Sequence, residues 1–198
     1  MRVFISGPSG VGKTTVIQEV LRKNTDMVLS VSYTTRQPRQ GEKDGVDYFF
    51  VSKETFEDMM RRGEFLEWAR VHDNLYGTSI AWVENVERQG RHVLFDIDVQ
   101  GVSQARDRGI RGCYILIVPP ALEILERRLS GRGTENPESL ALRMTNARNE
   151  LKRWDLYDYL VVNDSLSECI DAVNAIILAQ RFSAAEVIGQ LPWLTTIA

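Results

Sequence analysis

An α/β fold built on a parallel sheet follows from three features of the 198-residue chain. Apolar runs of strand length alternate with stretches of helical period, the pattern of strands joined by crossover helices. The first run, Val3–Ser6, leads directly into Gly7-Pro8-Ser9-Gly10-Val11-Gly12-Lys13-Thr14, a G-x-x-x-x-G-K-[ST] phosphate-binding loop (P-loop), and a helical pattern follows. Two segments, from Tyr33 to about Ile80 and from Ser130 to Pro137, break the alternation and read as additions to the core.

The elements justify themselves in order. Val3-Phe4-Ile5-Ser6 is a short apolar strand. The glycines after it permit a tight coil whose successive N–H groups point at an anion. Thr14–Lys23 is the helix that follows, and its N-terminus adds the positive end of its dipole. Lys13 can reach the β- and γ-phosphates of a nucleotide, and the Thr14 hydroxyl can hold Mg²⁺. The loop from Gly7 through Thr15 is therefore predicted to bind a nucleoside triphosphate. Met27–Ser32 is the next strand. The segment after it is rich in Arg, Gly, Asp, Glu and aromatics, and Tyr48–Val51 and Phe65–Val71 predict strands of a small separate sheet.

His92–Asp98 is an apolar strand that acquires two acids at its C-terminal end. Alternation places Asp96 and Asp98 on one side, facing the P-loop across the sheet edge. Asp96 is the candidate to orient Mg²⁺, directly or through water. Asp98 stands where it could instead cap the helix that begins at Val99. Strands Cys113–Val118 and Tyr159–Val162 and helices Val99–Asp107, Ala121–Leu129, Ser139–Lys152 and Leu166–Phe182 complete the alternation. In the last helix Ile170, Val173, Ala175 and Ile177 are expected on one buried face. The Gly/Arg-rich loop Ser130–Pro137, between two helices, predicts a mobile lid over the active-site edge.

Composition narrows the function further. The net charge of −3 argues against a nonspecific nucleic-acid partner, which calls for a basic surface. No apolar run reaches the roughly 20 residues needed to span a bilayer, so no membrane partner is expected. The chain enters a strand at once, which predicts no cleaved signal peptide. Its two cysteines, Cys113 and Cys169, lack paired spacing and predict buried free thiols in a cytoplasmic protein. Monomer and homodimer stay equally open.

Seven strings carry a more specific signal: Gly-Pro-Ser-Gly-Val-Gly-Lys-Thr at 7–14, Ser-Val-Ser-Tyr-Thr-Thr-Arg-Gln-Pro-Arg at 30–39, Gly-Val-Asp-Tyr-Phe-Phe at 45–50, Glu-Phe-Leu-Glu-Trp-Ala at 64–69, Tyr-Gly-Thr at 76–78, Asp-Ile-Asp-Val-Gln-Gly at 96–101 and Gly-Arg-Gly-Thr-Glu at 131–135. In order and spacing they resemble the guanylate kinases, nucleoside monophosphate kinases that move a phosphoryl group from ATP to GMP. The resemblance implies a P-loop core (1–32, 81–120 and 153–198) whose parallel sheet is flanked by helices. It also implies an inserted GMP-binding subdomain with a small mixed sheet (33–80) and a helical and loop lid (121–152). Together these make one guanylate kinase-like domain over 1–182.

The family's roles carry over to matching positions. Gly7, Pro8, Ser9, Gly10, Val11, Gly12, Lys13, Thr14 and Thr15, with Arg128, Arg132 and Asn163, would hold ATP. Ser32, Arg36, Arg39, Tyr48, Glu67, Tyr76, Thr78, Asp98 and Arg143 would hold GMP. Lys13, Arg36, Arg132 and Arg143 would serve the transfer itself, and Thr14 and Asp96 the Mg²⁺ that accompanies ATP. The reaction implied is transfer of the γ-phosphoryl group of Mg·ATP to GMP, and to dGMP, in purine nucleotide recycling.

Residue chemistry agrees with those roles. A phosphate acceptor has a second pKa of about 6 and is its own nucleophile, so no general base is required. The need is for arginine forks that match phosphate oxygens. Guanine's N1–H and amine call for a carboxylate, and its O6 for a hydroxyl. One departure is Leu75, where many members carry a second tyrosine. The alternative is a catalytically weak binding module on the same fold, against which Lys13, Thr14, Asp96 and the lid arginines argue.

Overall fold

The computed structural model describes residues 1–71, 73–131 and 137–197. In chain order its strands are β1 (Arg2–Ser6), β2 (Met27–Leu29), β3 (Tyr33–Thr34), β4 (Phe49–Phe50), β5 (Phe65–Val71), β6 (Asn74–Ser79), β7 (His92–Asp96), β8 (Cys113–Val118) and β9 (Tyr159–Val162). The α-helices are α1 (Lys13–Lys23), α2 (Lys53–Arg61), α3 (Ile80–Arg88), α4 (Val99–Asp107), α5 (Leu122–Ser130), α6 (Pro137–Leu151), α7 (Leu166–Arg181) and α8 (Ala184–Val187).

Among the described residues, β2-β7-β1-β8-β9 form one parallel sheet, with Ile5 of β1 opposite Asp96 of β7 and Ile115 of β8. Its central strands are apolar on both faces because helices cover both. On one face Val3, Ile5, Leu94, Ile115 and Ile117 pack with Val16, Val20, Leu125, Leu129, Val173 and Ile177 from α1, α5 and α7. On the other, Phe4 stacks between Phe95 and Tyr114 at centroid separations of 4.3 and 4.4 Å. Those rings meet Val83 and Val86 of α3 and Val102 and Ala105 of α4.

The second sheet, β4-β3-β6-β5, is mixed: β3 and β4 run parallel, while β6 is antiparallel to both neighbours. Its core is Phe56 and Met59 of α2 against Phe65 and Leu75. Three helices among the described residues have no counterpart in the sequence reading: α2, α3 and the single turn α8. α2 is nine residues long, started by Ser52 accepting from the Thr55 amide, and it offers too short a stripe for periodicity to show. α3 starts directly from the end of β6, with Ser79 as its N-cap. Two expected strands end early. β2 stops at Leu29, because the chain leaves the large sheet to enter the small one at Tyr33, and β7 stops at Asp96, because Asp98 starts α4.

The aromatic pair Phe56–Phe65, stacked at 4.4 Å with both side chains essentially fully buried, holds α2 to the small sheet. Replacing Phe56 with Ala should lower unfolding stability by about 3–5 kcal/mol. Urea unfolding would show this as a lower midpoint, and an unchanged midpoint would contradict the packing described.

Candidate functional site

The P-loop follows β1 at the carboxyl edge of the sheet, where open α/β sheets place their ligand crevice. Gly12 precedes α1 with φ 96°, and a Cβ there would lie 2.5 Å from the Asn163 amide nitrogen. Only glycine satisfies both the left-handed backbone and that contact. Asn163 is buried, and its Nδ2 donates to the Val11 carbonyl at 2.7 Å. Arg128 adds Nη2 to the Asn163 carbonyl at 3.0 Å and a long Nη1 contact of 3.5 Å to the Val11 carbonyl. Val11 is fully buried. The loop is thus tied down from beneath, while no side chain caps the first turn of α1. Those N–H groups and the helix dipole make an anion site.

Asn163 and Arg128, read from the sequence as ATP contacts, both also serve the backbone beneath the loop. Both are engaged with backbone carbonyls under the loop, because the end of β9 and the last turn of α5 arrive there. Lys13, only partly exposed, pairs with Asp96 Oδ1 at the end of β7. Thr14 and Thr15 are exposed at the start of α1.

A cavity of about 350 Å³ adjoins the loop. Ser30, Ser32, Arg36, Arg39, Tyr48, Glu67, Tyr76, Asp96 and Asp98 line it, with Leu29, Ala69, Val71 and Ile97 as an apolar wall. Such a wall with a few convergent polar groups is the usual anatomy of a small-molecule site. Sequence motifs had assembled the polar set, but the wall comes from β2, β5 and the β7–α4 turn and had no motif.

At one end Glu67 is 4 % exposed and accepts from the Thr78 hydroxyl at 2.6 Å, and Thr78 meets Ser32 Oγ at 3.2 Å. Burial pushes the Glu67 carboxyl up to about 7, against the Thr78 hydrogen bond, with Asp98 adding to the rise. Asp98 does cap α4, its Oδ1 accepting from the Gly101 amide at 2.9 Å while Gln100 Nε2 reaches Oδ2 at 3.2 Å. The capping expected as an alternative is present, and the residue still lines the cavity. The first turn of α4 needs an acceptor, and Asp98 supplies it from the cavity wall.

At the other end Arg36 forms a two-pronged ion pair with Glu42, at 2.9 and 3.0 Å, and Glu42 also accepts from the Arg39 amide at 2.7 Å. The Arg36 guanidinium lies 5.4 Å from the Tyr48 ring centroid, within cation–π range. Its pKa is held above the usual arginine value, first by Glu42. Tyr48 and Tyr76 meet edge-on at 5.9 Å. The Arg39 side chain is exposed at the rim.

Sequence reasoning missed Glu42 and Glu150. Glu42 belongs to no periodic element. Glu150 lies on α6, two turns after Arg143 and on the same face, a spacing that could have exposed it. Burial pushes its carboxyl up to about 7; Asp98 adds to the rise and Lys13 opposes it, so α6 brings an acid toward the loop. Arg132 falls outside the described residues.

Comparison with known proteins agrees with this geometry. The guanylate kinase family model matches residues 1–180. A guanylate kinase from Sphingopyxis alaskensis is 47% identical over 186 residues, 93% of this chain and 84% of the relative. One from Syntrophomonas wolfei is 47% identical over 177 residues, covering 89% and 91% of the two chains. Among solved structures, guanylate kinase from Anaplasma phagocytophilum superposes with a TM-score of 0.73 at 31% identity, covering 96% of this chain and 92% of the other. With fold, cavity and sequence in agreement over nearly its whole length, the chain belongs to the guanylate kinase family.

Proposed function

We propose that the chain is an ATP-dependent guanylate kinase that transfers the γ-phosphoryl group of Mg·ATP to GMP, and to dGMP, giving ADP and GDP or dGDP. In this reading 33–80 is the acceptor-binding subdomain and 121–152 the lid. One observation supports it above the others: Asp96 both lines the cavity and pairs with Lys13. Acceptor cavity and phosphate loop are therefore contiguous, as transfer between two bound phosphates requires.

Lys13 leaves Asp96 for the triphosphate, which settles on the α1 amides. Arg36, Arg39, Tyr48 and Tyr76 hold the acceptor phosphate and align its oxygen, which attacks without a base. Glu67 accepts from the N1–H and amine of guanine, while Ser32 and Thr78 offer hydroxyls. Arg143, and Arg132 from the lid loop, would add charge as the lid closes and water is excluded. Thr14 and Asp96 fit a hydrated divalent cation. No group of three His, Cys, Asp or Glu side chains could hold one among the described residues, which suits a metal carried in on phosphates. Held beside Thr14 and Asp96, the ion would neutralise charge on the phosphates.

No helix among the described residues is long and apolar enough to cross a membrane. Cys113 and Cys169 are free and buried, and burial pushes the Cys113 thiol up to about 12. The free thiols fit a reducing compartment, and in this reading the enzyme serves purine nucleotide recycling in the cytoplasm with small-molecule partners.

ADP release from Mg·ATP should depend on GMP or dGMP and be absent with AMP, CMP, UMP or no acceptor. Turnover with none of these by folded protein that binds GMP would instead favour a binding module. Lys13→Ala should lower turnover by about 10²-fold or more with GMP affinity largely kept. Near-normal turnover in that variant would overturn the loop assignment.

Protonation of Glu67 gives a further check. Its carboxyl rises from 4.5 to about 7 on folding, so its share of stability is fully present below about pH 4.5 and is lost as pH rises through about 7. Guanine's donors favour the ionised form, so GMP binding should release protons from Glu67 near neutrality and weaken below about pH 7. The acceptor phosphate titrates near about 6 as well. Calorimetry in buffers of different ionisation enthalpy, comparing wild type with E67Q, isolates the Glu67 share. Equal proton release by the two would contradict the assignment.

A further inference from the structure

A glycine in a helix costs roughly 0.5–1 kcal/mol against alanine, so its presence calls for a reason. Gly101 lies in the first turn of α4, and its φ is not among the positive glycine values. Backbone conformation is therefore not the reason. The neighbours are: a Cβ on Gly101 would stand 2.7 Å from Glu67 Oε2, 3.3 Å from Ile97 Cβ and 3.4 Å from Glu67 Cδ, so the severe clash is with the carboxylate end. The other oxygen, Oε1, is held by the Thr78 hydroxyl at 2.6 Å. The buried carboxylate is thus confined between Thr78 on one side and a bare helix turn on the other.

The rest of that helix face holds the strand bearing Glu67. Gln104 brackets Trp68, accepting from its amide at 3.2 Å and donating to its carbonyl at 2.5 Å. Arg108 donates to the carbonyls of Phe65 and Leu66 at 2.6 and 3.1 Å. Residues 101, 104 and 108 fall on one helical stripe. Each addresses β5 within one or two residues of Glu67 or touches Glu67 itself. The same helix begins at Asp98, in the cavity wall.

We propose that Gly101 is a specificity-determining residue that acts through Glu67. The missing side chain lets the carboxylate seat against α4 at the depth where both oxygens can serve guanine's N1–H and exocyclic amine. This rests on the guanine-reading role given to Glu67 above. In Gly101→Ala the flexible end of Glu67 must move, since the helix and strand are tied together by Gln104 and Arg108. Movement breaks the Thr78 bond and misplaces the acceptor for the amine, while the helix itself gains a better helix former.

The test compares wild type, G101A, E67Q and the double variant G101A/E67Q, with GMP and with inosine monophosphate, which keeps N1–H but lacks the amine. G101A should fold, bind Mg·ATP as wild type does, and raise KM for GMP by roughly tenfold to a hundredfold, with kcat changed less. Its preference for GMP over inosine monophosphate should shrink by a similar factor, and in the E67Q background G101A should change that preference no further. An unaltered preference in G101A beside a GMP-selective wild type would overturn the role of Gly101 and leave the function standing. A G101A chain that fails to fold would also overturn it, because the clash falls on a side-chain end and Ile97 Cβ need give by only a few tenths of an ångström. A wild type without GMP turnover would instead defeat the functional reading itself.

Discussion

The pairing of β1 with β7, which sets Ile5 beside Asp96, governs where everything else in the site can stand. β1 ends in the P-loop and β7 ends in the acidic turn, so the parallel register delivers Lys13 and Asp96 to the same edge. That register is enforced by burial on both faces. Sliding β7 by one residue would turn Val93 and Phe95 from the aromatic layer toward α1 and α7, and would expose the Phe4 stack. From the end of β7 the chain starts α4, whose face docks on β5. One strand end therefore connects the phosphate loop, the cavity wall and the small sheet.

The cations around the cavity have internal partners. Lys13 is paired with Asp96 and Arg36 with Glu42, and Glu67 and Glu150 are carried to about 7 largely by burial. Unpaired charges in such half-buried positions would be costly, and these partners offset that cost.

The likeness between sequence and structure is strongest where chemistry is local. The strand, glycine loop and helix from Val3 to Lys23 form one contiguous unit, and its residue types dictate coil, dipole and cation together. The apolar strands of the parallel sheet were legible for the same reason, since burial on both faces leaves an unbroken apolar run. Helices α2 and α3 were hidden because each is short and takes its direction from a neighbouring strand. Asn163, Arg128 and Asp98 show the other difficulty. A polar residue near a ligand-binding edge can face the ligand or hold up the backbone beside it, and its type is the same in both cases.

Residue order by itself determined that this chain builds a parallel sheet, places a phosphate loop at its first strand end, and carries the arginines and carboxylates suited to a nucleotide acceptor. Those properties depend on periodicity and on the intrinsic chemistry of contiguous residues. Tertiary structure decided which polar groups are free to act. Glu67 has its raised pKa because β5, β6 and α4 close over it, and Glu150 comes near Asp98 and Lys13 because a helix far along the chain folds back to them. Gly101 matters because of an atom 34 residues earlier in the chain. Burial and partner choice are sums over long-range neighbours, and those neighbours exist only once the chain has closed on itself.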